Sequence, residues 1–70
     1  MTEVMAPMDG KILHVKAKVG ERVKEDETIA VMEAMKMEIQ VVAPVAGTVV
    51  EIKVAPGQAV DPDTIIAIIQ

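Results

Sequence analysis

Seventy residues suffice for one domain with a small core, burying only about 60% of the surface of the unfolded chain, and they exclude a deep catalytic cleft. No cysteine and a single histidine, His14, leave neither a disulfide nor a metal to staple so small a fold, so stability has to come from regular geometry. A net charge of −4 and the absence of Phe, Tyr and Trp argue against nucleic acid, which is held by excess cations on phosphates and by aromatic stacking on bases.

In chain order, the first element ends at Ala6-Pro7-Met8-Asp9-Gly10, where Pro closes a strand and Gly makes a tight turn. Ile12–Lys18 follows as a strand in which Leu13, Val15, Ala17 and Val19 alternate with His14, Lys16 and Lys18, the first set expected inward. Ile12 breaks that alternation and points to a bulge just after the glycine. Val19-Gly20 is a turn, Val23 marks a small edge strand, and Ile29–Glu33 is a β-branched run.

The next six residues, Glu33-Ala34-Met35-Lys36-Met37-Glu38, are almost all good helix formers. Six residues cannot sustain a helix unaided, and strands close in on both sides. The segment is therefore expected to be a tight hairpin connection with Lys36 exposed at its tip. Beyond it come strands at Ile39–Val42 and Val49–Val54, a Pro56-Gly57 type II turn with positive φ at Gly57, an edge strand at Val60 and a last strand at Ile65–Ile69. Val50, Ile52 and Val54 are the inward set of the second long strand, and Val49 breaks its alternation as Ile12 does in the first.

These punctuation marks recur because the chain is written twice. A shift of 37 positions lays Val4, Ala6, Pro7, Gly10, Gly20, Val23, Ile29 and Ala30 on Val41, Ala43, Pro44, Gly47, Gly57, Val60, Ile66 and Ala67. Residues 1–33 and 38–70 are the two repeats of one domain, 1–70, and only residues 34–37 stand outside both. Two repeats are too few for a solenoid. They predict an all-β, pseudo-twofold module, a flattened barrel or sandwich of two four-stranded antiparallel sheets.

Little self-contained chemistry is available. There is no Ser or Cys nucleophile for a triad, the consecutive Glu25, Asp26 and Glu27 follow no calcium-loop spacing, and the isolated glycines form no phosphate loop. No catalytic residue and no metal ligand is expected, and His14 reads as a surface residue. Lys16, Lys18, Arg22 and Lys24 are interleaved with acids and read as solvated surface. No apolar run is long enough to span a bilayer and no secretory signal pattern opens the chain, so a cytoplasmic protein without direct membrane contact is expected. Lys36 differs from every other charge by occupying the symmetry point, flanked by Met35 and Met37 where a turn favours Asn, Asp or Gly. Either the methionines pack onto the sheet and Lys36 is merely solvated, or a second protein recognises the tip through these adaptable side chains.

Glu33-Ala34-Met35-Lys36-Met37, together with the Ala6-Pro7-Met8 to Gly10 opening, Gly20, the Ala43-Pro44 to Gly47 repeat and the Gly57 turn, closely resembles the biotin carboxyl carrier domains of the biotin/lipoyl attachment family. The lipoyl branch typically has Asp-Lys-Ala about its lysine. The chain departs from the biotinyl pattern at Asp9, where Pro commonly precedes the glycine. It lacks the protruding thumb of some acetyl-CoA carboxylase carriers and is more similar to the thumbless domains of propionyl-CoA and pyruvate carboxylases, transcarboxylases and biotin-dependent decarboxylases.

The resemblance implies biotin in amide linkage to Lys36, with Met35 and Met37 as flanks read by biotin protein ligase and Glu33 and Ala34 completing the attachment motif. An exposed lysine is protonated at neutral pH, so the environment that frees its lone pair is expected from the ligase. The carrier, not itself an enzyme, would shuttle an activated carboxyl group between biotin carboxylase and carboxyltransferase sites, or from a decarboxylating carboxyltransferase. It would do so as a free subunit or as the C-terminal part of a larger enzyme.

Overall fold

The computed structural model describes residues 1–70, and it contains eight strands and no helix. In chain order these are β1 (Thr2–Met5), β2 (Gly10–Val15), β3 (Arg22–Val23), β4 (Thr28–Ala34), β5 (Met37–Val42), β6 (Gly47–Ile52), β7 (Ala59–Val60) and β8 (Ile65–Ile69). They form two four-stranded sheets, ordered β1-β8-β6-β3 and β5-β4-β2-β7, and every pairing is antiparallel.

The 37-residue shift converts β1, β2, β3 and β4 into β5, β6, β7 and β8, and so turns one sheet order into the other. Each sheet nevertheless takes two strands from each repeat, so neither repeat holds a complete sheet. The turns lock this arrangement reciprocally. The Gly20 amide donates to the Val49 carbonyl and the Gly57 amide to the Ile12 carbonyl, both at 2.7 Å. Gly57 has the expected positive φ, 90°, and Gly20, expected only to lie in a turn, has 92°.

Sixteen of the seventeen core residues fall in pairs 37 apart: Val4 with Val41, Ala6 with Ala43, Ile12 with Val49, Ala17 with Val54, Val23 with Val60, Ile29 with Ile66, Ala30 with Ala67, and Met32 with Ile69. The remaining one is Ala34, at the junction. Small and β-branched side chains fill the narrow space between two sheets that stack about 10 Å apart, which is why the fold needs no aromatic residue.

The bulges lie where the broken alternation placed them. In β2, Ile12 pairs with Met32 and His14 with Val31, leaving Leu13 extra; in β6, Val49 pairs with Ile69 and Glu51 with Ile68, leaving Val50 extra. An extra residue reverses the phase of the alternation. Ile12 and Val49 are therefore fully buried, whereas Leu13 and Val50, expected inward, are only half-buried. The strands also stop earlier than expected, at Val15 and Ile52. The amides of Lys16 and Ala17 both turn to the Ile29 carbonyl as the chain leaves the ladder. Val19, expected inward, consequently lies in a turn and is 64% exposed.

Gly10 and Gly47, expected within tight turns, are instead the first residues of β2 and β6, and neither has positive φ. A Cβ on Gly10 would lie 2.5 Å from the Glu33 carbonyl oxygen, and one on Gly47 would lie 2.5 Å from that of Gln70. Their requirement is close backbone approach.

Candidate functional site

β4 and β5 pair from Thr28 opposite Val42 to Ala34 opposite Met37, so the connection between them is only Met35 and Lys36. Both have positive φ, 52° and 65°, the signs that a type I′ turn requires and that match the twist of its strands. Asn-Gly adopts this geometry freely, whereas left-handed backbone costs an ordinary L-residue roughly 1–2 kcal/mol. The sequence thus forgoes turn stability to hold a methionine and a lysine at the tip.

Replacing Met35 by Asn and Lys36 by Gly together is expected to stabilise the domain by about 1 kcal/mol, after the entropic cost of the new glycine. The melting midpoint of the purified variant should rise. An unchanged or lower midpoint would show that the turn is relaxed.

Residues 33–37, the expected attachment motif, are exposed at four positions and buried at one. Lys36 is exposed and its ammonium has no hydrogen bond or ion pair, the one ion pair of the molecule joining Lys53 to Glu51. Met35 is 86% and Met37 63% exposed. Met37 alternates with Ile39 and Val41 along β5, and burial deepens from Met37 to Val41. It therefore overhangs the end of the core rather than filling it.

Ala34 alone of the five is buried, and a Cβ on Gly10 would meet its Cβ at 3.2 Å. A small residue at position 34 and none at position 10 let β4 and β2 close at this end. Glu33 is exposed and sits opposite Glu38 on β5 and Lys11 on β2.

The tip has neighbours that the local sequence does not announce. Lys11 pairs with both Glu33 and Ala59, and Gly10 with Val60, so the segments entering β2 and leaving β7 meet beside the hairpin. There Pro7, Met8, Asp9, Met35 and Pro62 line a surface depression of about 450 Å³. Asp9 was legible only as a departure from the family pattern, and Pro62 carried no signal at all, since strand pairing alone brings them to Met35.

A family model described as "Biotin-requiring enzyme" matches residues 2–69. Over 39 residues, 56% of this chain, the sequence is 46% identical to the 2-oxoglutarate carboxylase large subunit of Hydrogenobacter thermophilus, of which that stretch is 6%. Over 38 residues, 54% of the chain, it is 50% identical to the methylmalonyl-CoA decarboxylase subunit gamma of Veillonella parvula, covering 30% of it. The chain thus spans a minor part of these relatives.

Among solved structures, the urea carboxylase of Kluyveromyces lactis superposes with a TM-score of 0.92 at 28% identity, over 99% of this chain and 6% of that one. The lipoyl domain of the Azotobacter vinelandii 2-oxoglutarate dehydrogenase complex superposes with a TM-score of 0.81 at 28% identity, over all of this chain and 96% of that domain.

Proposed function

The chain belongs to the biotin/lipoyl attachment family, and on that premise we propose that it is a biotin carboxyl carrier domain, modified on Lys36 and without catalytic activity of its own. The observation that carries the attachment site is the unpartnered Lys36 ammonium, held outward by a two-residue turn between two exposed methionines. Nothing has to be broken or unburied before this nitrogen is acylated, so the residues present fit an amide-linked cofactor. Within the ligase the Lys36 ammonium would first give up one proton, and the lone pair so freed would attack the acyl carbon of biotinyl-adenylate. The acyl C–O bond breaks, AMP leaves, and the nitrogen gives up a proton to the ligase or to water.

Once bound, biotin supplies a ureido nitrogen that takes up and hands on a carboxyl group; the protein supplies position. β1 starts opposite the end of β8, whereas the end of β1 leads through residues 6–9 to β2 at the hairpin. Lys36 and the chain termini therefore lie at opposite ends of a module 30 Å long. A carrier fastened through either terminus presents its lysine away from the anchor. Tethering in this way replaces diffusion with a high local concentration at each partner site, here a biotin carboxylase and a carboxyltransferase. Glu33 and Glu38, paired across β4 and β5, leave the tip acidic after the lysine charge is lost, which suits basic docking surfaces on those partners.

The test is incubation with biotin protein ligase, ATP and biotin, followed by intact mass and peptide mapping, with a parallel incubation with lipoate and a lipoate-attaching enzyme. One biotinyl group on Lys36 supports the reading. Exclusive lipoylation would replace it with the lipoyl one.

The methionine flanks give a separable prediction. Because Met35 and Met37 lie mostly in solvent, Met35→Asp combined with Met37→Ala should cost no more than about 1 kcal/mol, within the range of substitutions away from a packed core. The initial biotinylation rate should fall by an order of magnitude or more, since the ligase loses two adaptable apolar contacts. Unchanged rates would reject recognition through these side chains, and loss of the melting transition would return them to the core.

A further inference from the structure

The depression beside the hairpin is the only one in the molecule, although the fold repeats its strands at the other end. Under the 37-residue shift Asp9 corresponds to Ala46, Met8 to Val45 and Pro62 to Glu25. The repeat therefore does not generate it; residues particular to this end do. Its walls are two prolines and two thioethers, and its one charged group is the Asp9 carboxylate. That carboxylate accepts no hydrogen bond and joins no ion pair within the chain. The volume lies in the range of small-ligand sites, which combine apolar walls with a few polar groups that fix orientation. Met35, one wall, immediately precedes Lys36.

We propose that this depression is the resting place of the biotinyl head group tethered to Lys36, its fused rings against Met8, Met35, Pro7 and Pro62 and a ureido N–H donated to the Asp9 carboxylate. The inference rests on the reading that Lys36 carries biotin. The chemistry matches on both sides: the thiophane ring is apolar and meets apolar walls, while the ureido ring has N–H donors and meets an acceptor without another partner. The tether keeps the ligand at high local concentration, so an affinity too weak to retain free biotin still populates the folded-back form. The carrier then alternates between a head group covered by its own surface and one extended into a partner enzyme. Asp9 acts as a positioning residue.

The experiment compares the unmodified and fully biotinylated 70-residue protein, with modification of Lys36 established first by mass. In isotope-edited NMR spectra, nuclear Overhauser contacts are expected between the biotin ring protons and the Met8 and Met35 methyl groups, and the Asp9 and Gly10 amides should shift on biotinylation. In biotinylated Asp9→Ala these contacts should weaken. Capture by avidin, followed by stopped flow, should become several-fold faster because the head group is less covered. Asp9→Asn, which keeps a carbonyl acceptor, should fall between the two. A biotinylated protein whose shifts stop at residues 34–38, with no ring contacts and with equal capture rates for wild type and Asp9→Ala, overturns the inference and leaves the carrier function standing. A protein that biotin ligase does not modify overturns both.

Discussion

Lys36→Arg should abolish biotin incorporation while leaving the melting transition unchanged. The guanidinium keeps the positive charge and approximate length, but its delocalised lone pairs and persistent protonation make it a poor nucleophile towards an acyl adenylate. The structure adds reasons why the fold should not notice. Lys36 is exposed, and its side chain takes part in no hydrogen bond or ion pair. Its φ of 65° is no harder for Arg than for Lys, since both meet the same backbone restriction. The remaining lysines, Lys11, Lys16, Lys18, Lys24 and Lys53, lie outside the junction that the repeat leaves unique, and none should take over. The measurement is avidin capture and intact mass after exposure to ligase, ATP and biotin, with melting curves on the same samples. Retained capture by the variant would remove Lys36 as the attachment site.

The largest effects on stability are expected at Gly10 and Gly47. In Gly10→Val the new Cβ would stand 2.5 Å from the Glu33 carbonyl oxygen and 2.5 Å from the Met32 Cε; in Gly47→Val the obstacles are the Gln70 carbonyl oxygen at 2.5 Å and the Ile69 Cγ2 at 2.6 Å. A flexible thioether can move aside, but the Glu33 carbonyl lies within β4 and moves only with its strand, and the Gln70 carbonyl, one residue past β8, is held by the Thr48 amide at 3.0 Å. Each substitution should therefore reach the upper end of overpacking costs, about 3 kcal/mol, a fall of roughly 10–25 °C in the melting midpoint of so small a domain.

Gly57→Ala is the informative control. Its Cβ would meet nothing within 4 Å, but φ is 90°, so it pays only the backbone penalty, about 1–2 kcal/mol. Similar losses at positions 10 and 47, both exceeding that at 57, would support close approach as the demand. Wild-type midpoints for the two valine variants would show that the strands can separate there without cost.

Much of this protein was legible in its sequence. The 37-residue self-similarity is a property of the chain itself, and with it came eight short strands, two equivalent turns at Gly20 and Gly57, and a junction holding Lys36. Period-two alternation is equally local, and its breaks at Ile12 and Val49 marked both bulges. The hairpin followed from the length of its segment, although helix propensity pointed elsewhere.

Tertiary structure decided what depends on which strand lies beside which. Leu13 and Val50 left the core because the bulge is absorbed against β4 and β8, and Val19 left it because β2 ends early at Val15. Glycine was required at positions 10 and 47 by carbonyls 23 residues away in the chain, not by a dihedral angle readable at the glycine. The strain at Met35 and Lys36 was imposed by strands that pair up to Ala34 and Met37, leaving only two residues to turn. The depression beside Lys36 exists because β2 pairs with both β4 and β7, setting Asp9 and Pro62 against Met35. A sequence pattern reports which face of its own strand a residue occupies; which atoms wait on that face is fixed only when the long-range hydrogen-bond ladders close.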